Sequence, residues 1–206
     1  MSSYVDRKAV LRAFKELRKN NILAKANHLC CQSCGSSDLC ERINTDEVRE
    51  WKGYVFWHRQ VEAGAFPGGA KTCEFKNKYK FSSTRNMNLN LYYSGTKDIY
   101  ESKSQGLTAE EVGHALFYAL KDDGLNVLWD GNSANTVIVI PDGFDAKQEM
   151  GLGLLFSFLN PDSSLIPSDL RELIRTSRTE WLEFSEKRNK EWEEENSLKL
   201  EESSKS

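Results

Sequence analysis

No apolar run in this sequence approaches the roughly 20 residues that a membrane-crossing helix needs, so a helical membrane protein is excluded. The first residues, Met1-Ser2-Ser3-Tyr4-Val5-Asp6-Arg7-Lys8, lack an apolar signal core, and Ser2 stands where myristoylation requires glycine. The 5 cysteines are an odd number without export signals, which fits a reducing compartment. The expectation is a cytosolic or nuclear protein, not a secreted one. A surplus of positive charge is also missing. The formal net charge is −3, which argues against a general nucleic-acid binder. There is no second Cys-x-x-Cys and no His-x-x-x-His, and no phosphate-loop pattern follows Gly151 or Gly153.

What is present is concentrated in Leu29-Cys30-Cys31-Gln32-Ser33-Cys34-Gly35. Two cysteines separated by two residues can turn both thiolates toward one Zn²⁺, and Gly35 would tolerate the positive φ that such turns often need. A structural zinc site takes four ligands, and here a second pair has to be found. The metal reading uses Cys31 and Cys34 with His58 and one further thiolate, Cys30 or Cys73. A second reading makes Cys31 and Cys34 a redox dithiol. A third takes the sulfurs as small apolar groups buried beneath a turn. Because Cys30 and Cys31 are adjacent, at least one of them is expected in the core rather than on the metal.

The flanking segments read as α+β. Val10, Phe14 and Leu17 recur on one helix face, and Lys and Arg fill the other. Asp38–Ile43 reads as a short strand with poor alternation, since Glu41 shares a face with Leu39 and Ile43. Gly53–His58 is β-branched and aromatic, and reads as a strand ending at His58. A hairpin between those two would return the imidazole toward Cys31 and Cys34. Residues 64–87 read as an irregular basic insertion. There Lys71, Lys76, Lys78, Lys80 and Arg85 interleave with Phe75, Tyr79 and Phe81. Single-stranded nucleic acid could lie along 71–85, but a solvated loop has the same composition and is preferred.

Leu89–Tyr93 reads as a strand, and Thr108-Ala109-Glu110-Glu111 as a capping box opening a helix on Val112, Leu116 and Leu120. Leu125–Trp129 and Thr136–Ile140 read as a hairpin around Asp130–Asn135. Asp130 sits at a strand end, where such a residue usually bonds its own turn. Residues 151–159 are apolar and should dock on the sheet. From Ser168 the pattern is a long charged helix whose Trp181 and Trp192 need cover, from the domain or from a protein partner. Residues 197–206 read as a frayed tail.

Four pieces in this order resemble a family known only as a domain of unknown function. They are Asn27-x-x-Cys30-Cys31-Gln32-x-Cys34-Gly35, Gly53-Tyr54-Val55-Phe56-x-His58-x-Gln60, Leu91-Tyr92-Tyr93-x-Gly95 and Gly124-Leu125-x-Val127-x-Trp129-Asp130-Gly131. The resemblance spans about Leu11 to Ile140. It implies that the cysteine turn and His58 form one local constellation, and it brings no activity. The family's pattern has an acidic residue after His-x-Gln, where Val61 stands here. The basic insertion is also longer than the pattern, and the helix beyond Pro167 lies outside it.

The organisation that follows is an α+β core over 1–160, a charged C-terminal helix over 161–196 and a tail over 197–206. The core is a mainly antiparallel sheet of four to six strands with the Val10 and Val112 helices on one face. The function reads as a non-enzymatic binding or interaction module. A zinc staple would use Cys31, Cys34 and His58 with either Cys30 or Cys73, and the 168–196 helix would meet a protein partner. Gln60, Tyr92, Trp129 and Asp130 are the candidate binding residues. The rival is a thiol enzyme or redox protein using Cys31 or Cys34 with His58, where Gln60 would donate to an oxyanion.

Overall fold

The structure, a computed structural model, describes residues 4–66, 88–100, 105–142 and 158–203. Residues 67–87 of the expected basic insertion, with Cys73, and most of the apolar stretch from Gly151 lie outside these residues, while residues 64 and 65 are helical rather than irregular.

Helix α1 (Arg7–Lys19) begins at Asp6, whose carboxylate accepts from the amides of Lys8 at 2.8 Å and Ala9 at 3.3 Å. Val10, Phe14 and Leu17 form its buried stripe, and Arg18 and Lys19 place positive charge at its C-terminal end. Strand β1 (Ile22–Lys25) follows. Helix α2 (Gln32–Thr45) then carries the chain back to strand β2 (Gly53–Phe56), which pairs parallel to β1 with Ile22 opposite Gly53 and Lys25 opposite Phe56.

This corrects the sequence reading at two points. Asp38–Ile43 is helix rather than strand. As a helix it puts Leu39 and Ile43, four residues apart, on one buried face and turns Glu41 outward, which removes the conflict that spoiled the strand pattern. The hairpin with Gly53–His58 therefore does not form. A parallel pair needs a crossover, and α2 is that crossover.

Helix α3 (Arg59–Ala65) starts at His58. Strand β3 (Leu89–Gly95) runs antiparallel to β2, and the short α4 (Thr96–Ile99) follows. Helix α5 (Ala109–Asp122) opens with the capping box on Thr108 and Glu111. Strands β4 (Asn126–Leu128) and β5 (Val137–Ile140) form the expected hairpin, with Val127 opposite Val139. The sheet has 5 strands in the order β1-β2-β3-β5-β4. It is mixed, antiparallel except for β1 with β2.

The strand alternation assigns the two faces. Val55 and Trp57 join Phe14, Val112, Leu116 and Val127 in the larger cluster with α1 and α5. Tyr54 and Phe56 face the other way and join Leu23, Leu39, Ile43 and Trp51 under α2. Each large apolar side chain removed from water in this way contributes roughly 1.5–3 kcal/mol.

The chain divides into two compact units, Met1–Asp145 with Ser163–Leu165, and Ala146–Asp162 with Ile166–Ser206. All five strands and α1–α5 belong to the first. The second holds α6 (Ser168–Ser203), which continues past the expected start of the tail at residue 197. Arg175 of α6 pairs with Asp162 at 2.7 Å. Among the described residues no helix is long and apolar enough to cross a membrane.

Candidate functional site

Parallel pairing brings the C-terminal ends of β1 and β2 to the same edge of the sheet. The cysteine turn leaves one end and His58 leaves the other. Two backbone bonds tie them: the His28 amide donates to the Trp57 carbonyl at 2.7 Å, and the Arg59 amide donates to the Leu29 carbonyl at 3.1 Å. The two segments are neighbours because of this pairing and not through a hairpin.

Asn27 and Leu29 both take left-handed backbone conformations, with φ of 50° and 55°. Asparagine tolerates this, whereas leucine adopts it at a cost that a folded site has to offset. The twist aims consecutive side chains in directions that an extended chain would separate. Cys31 is then the N-cap of α2, in extended conformation, and Cys34 is the third residue of its first turn. The sulfurs of Cys30, Cys31 and Cys34 all lie within 4.8 Å of one another, and those of Cys30 and Cys31 are 3.8 Å apart. Cys30 and Cys34 are exposed, and Cys31 is half-buried. The expectation that one of the adjacent pair lies in the core is overturned, because Cys30 is exposed and Cys31, at the N-cap of α2, is only half-buried. Cys40 is likewise half-buried, packed with the Leu39 and Tyr54 cluster.

Charge is distributed unevenly in this cluster. The Cys31 thiol is lowered from its ordinary value to about 6, first by the Ser33 hydroxyl and then by the Cys34 amide and the neighbouring thiols. The Cys34 thiol is raised to about 11, chiefly because it donates its proton to Cys31 and also to Cys30. One sulfur of the Cys-x-x-Cys therefore carries the charge and the other holds the proton.

Gly35 sits on the ring of Phe56, which presses the first turn of α2 onto the end of β2. Beneath that turn, Phe56 packs against Tyr92 with ring centroids 5.6 Å apart, and Tyr92 stacks on His58 at 5.3 Å. His58 is only 5% exposed, and burial lowers its pKa, so it is neutral. Its Nδ1 is buried and has no hydrogen-bond partner among the described residues. His58 is not one of the three residues whose ligand atoms cluster.

Two features escaped the sequence reading. His28 Nε2 lies 2.9 Å from Asp38 Oδ2, and Asp38 also accepts from Arg42 one turn later, which holds its carboxyl below the ordinary range. This pair anchors the start of the cysteine turn to the middle of α2. The helical spacing of Asp38 and Arg42 was the available signal. The second is Glu62, beside the Val61 position where the family's acidic residue is expected. Its carboxylate is buried, accepting from Trp57 Nε1 at 2.8 Å and from Arg7 at 3.1 Å.

The remaining candidates lie in different surroundings. Gln60 is exposed on α3. Trp129 is fully buried and donates to the Asn132 carbonyl at 3.2 Å. Asp130 accepts from the Asn132 amide at 3.0 Å and from Asn135 at 2.9 Å, as a turn-forming carboxylate does.

Residues 3–145 match the model of a family described as Domain of unknown function (DUF6891), and the chain belongs to that family. The match takes in the cysteine turn, His58 and all five strands, and stops before α6. No curated protein and no solved structure matches the chain.

Proposed function

We propose that this chain is a non-enzymatic domain in which Cys30, Cys31 and Cys34 hold one zinc ion, which staples the first turn of α2 to the sheet. The observation that carries this is the mutual approach of the three sulfurs within 4.8 Å. Two thiolates each about 2.3 Å from a tetrahedral zinc lie about 3.8 Å apart. Cys30 and Cys31 have that separation already.

The helix ends supply a second support. In α1 and α5 the N-cap side chains of Asp6 and Thr108 bond the first-turn amides, whereas the Cys31 sulfur caps none of them in hydrogen-bond geometry and the Cys34 amide only approaches it closely enough to favour its thiolate. Residues at the N-cap and third positions close the capping box of α5. The same two positions in α2 are Cys31 and Cys34, and a metal bridging them would tie the cap residue to the first turn through the side chains, without accepting from the amides. His58 Nδ1, buried without a partner among the described residues, is the fourth ligand in this reading, and because it lies outside the cluster of three sulfurs it has to move toward them when the metal binds. As a neutral imidazole it is in the ligating state.

The test is metal analysis of protein purified without a histidine tag, followed by melting with and without chelator. One equivalent of zinc is expected. Free zinc at about 100 times its dissociation constant should add about 2.7 kcal/mol of stability. Less than about half an equivalent, with no change in melting in chelator, would reject the reading. His58→Ala should lower zinc affinity while leaving the three-sulfur site able to bind.

In the same proposal α6 meets a protein partner. Its Leu182, Phe184 and Trp192 are 54%, 53% and 67% exposed among dense charge. Leu182→Glu should abolish cross-linking to that partner without changing the zinc content.

A further inference from the structure

The same three sulfurs have a geometry that a purely structural zinc site does not need. Structural zinc has all four positions filled by protein ligands and needs no open approach for small molecules. Here Cys30 and Cys34 are exposed and Cys31 is only half-buried, so small oxidants reach the sulfurs directly. Cys31 and Cys34 are also spaced so that one helical turn brings their side chains together at the positive end of α2. We infer that Cys31 and Cys34 form a peroxide-oxidisable dithiol, and that closing their disulfide releases the metal.

The inference rests on the metal reading only for the release step; the disulfide itself needs no metal. The Cys31 sulfur attacks one oxygen of a hydroperoxide. The S–O bond forms as the O–O bond breaks, and the departing hydroxide or alkoxide takes a proton from solvent. The Cys34 sulfur then attacks the sulfenic sulfur. The S–S bond forms, the S–O bond breaks, and the second hydroxide leaves as water with the proton that Cys34 gives up. Two thiols lose two electrons, and the peroxide gains them.

Cys34 is the resolving partner, not Cys30. A disulfide between the neighbours Cys30 and Cys31 would close a small ring around one peptide bond, which strains both the planar trans amide and the disulfide torsion. The 3.8 Å between those two sulfurs suits a shared metal better than a covalent bond. Two of the three metal-binding sulfurs are lost when the disulfide closes. The remaining thiol and one imidazole make a poor zinc site.

Metal-free protein treated with a few equivalents of hydrogen peroxide should lose the mass of two hydrogens, and peptide mapping should join Cys31 to Cys34. In Cys34→Ser, a sulfenic acid should instead be trapped by dimedone at Cys31. Zinc-loaded protein should release its zinc in step with the disulfide, read by a chromogenic chelator. Mapping of the bond to Cys30, or peroxide treatment that leaves both thiols free, would overturn the inference. A 31–34 disulfide in a protein that never takes zinc would sink the metal reading and keep the dithiol. Zinc binding with no disulfide would do the reverse.

Discussion

Gly35 lies against the ring of Phe56 so closely that a Cβ on residue 35 would stand 2.8 Å from the ring's Cζ. The reason for glycine here is therefore contact and not a left-handed turn. Residue 35 is inside α2, and the glycines with positive φ among the described residues are Gly124 and Gly131.

Two opposed effects decide what Gly35→Ala does. Alanine in a helix interior gains about 1 kcal/mol over glycine. Forcing a methyl group against a fully buried ring costs roughly 1–3 kcal/mol. Phe56 has no exposed edge into which it could move. The clash should win, with net destabilisation of about 1 kcal/mol in urea unfolding. Zinc affinity should fall as well, because the first turn of α2 lifts. An alanine variant as stable as the parent would show that Phe56 yields and that the turn is not pinned there.

The same contact shows why only part of this fold could be read from sequence. Where order is local it was plain. The capping box at Thr108, the stripe of α1 and the hairpin between β4 and β5 follow from residues a few positions apart. The pairing of β1 with β2 is not local. Ile22–Lys25 has four residues and burial on both sides, so no alternation announces it. With Asp38–Ile43 read as a strand, the crossover vanished. The edge where the cysteine turn and His58 meet then had no correct explanation. The adjacency argument against Cys30 and Cys31 failed for a related reason. It rested on adjacency alone, and nothing in the letters shows that the chain turns left-handed at Leu29 just before the pair.

Cys31 should be the reactive thiol of the metal-free protein. Its thiol lies at about 6 and that of Cys34 at about 11. Alkylation by iodoacetamide follows the thiolate fraction. Modification at residue 31, followed by peptide mass, should reach half its plateau rate near pH 6. Residue 34 should lag far into the alkaline range. Ser33→Ala removes the first-named cause of the shift and should move the Cys31 midpoint upward. A midpoint at the ordinary thiol value in the parent would disprove the charge asymmetry of the pair.

His58 sets an acid limit on stability. Burial lowers its pKa below the unfolded 6.5, so the unfolded chain binds a proton that the folded chain resists. The sign follows directly. This group costs nothing above pH 6.5, and the loss grows as pH falls through the unfolded value toward the folded one. His58→Phe keeps a ring to stack on Tyr92 and removes the proton. In metal-free protein the parent and variant should therefore diverge only below about pH 6.5, with the parent weaker. Because phenylalanine also removes a buried nitrogen that has no partner among the described residues, the variant should be no less stable at pH 7.5. Parallel acid limbs in the two proteins would mean that the imidazole takes up its proton without hindrance.

The cap position offers the sharpest separation of metal from packing. Cysteine at the start of α2 meets the Ser33 hydroxyl at 3.5 Å but caps no first-turn amide in hydrogen-bond geometry, whereas serine there would accept a full bond from those amides. Cys31→Ser should therefore do two opposite things. Without metal it should raise the melting temperature by a few degrees, the usual return on an added N-cap. With zinc present it should fall behind the parent, because one of the three sulfurs is gone. Curves that cross on adding zinc are what a staple at this position requires. If the serine protein is less stable under both conditions, Cys31 matters for how it fits against its neighbours. If it is more stable under both, the helix start needed a cap and the metal had no part in supplying it.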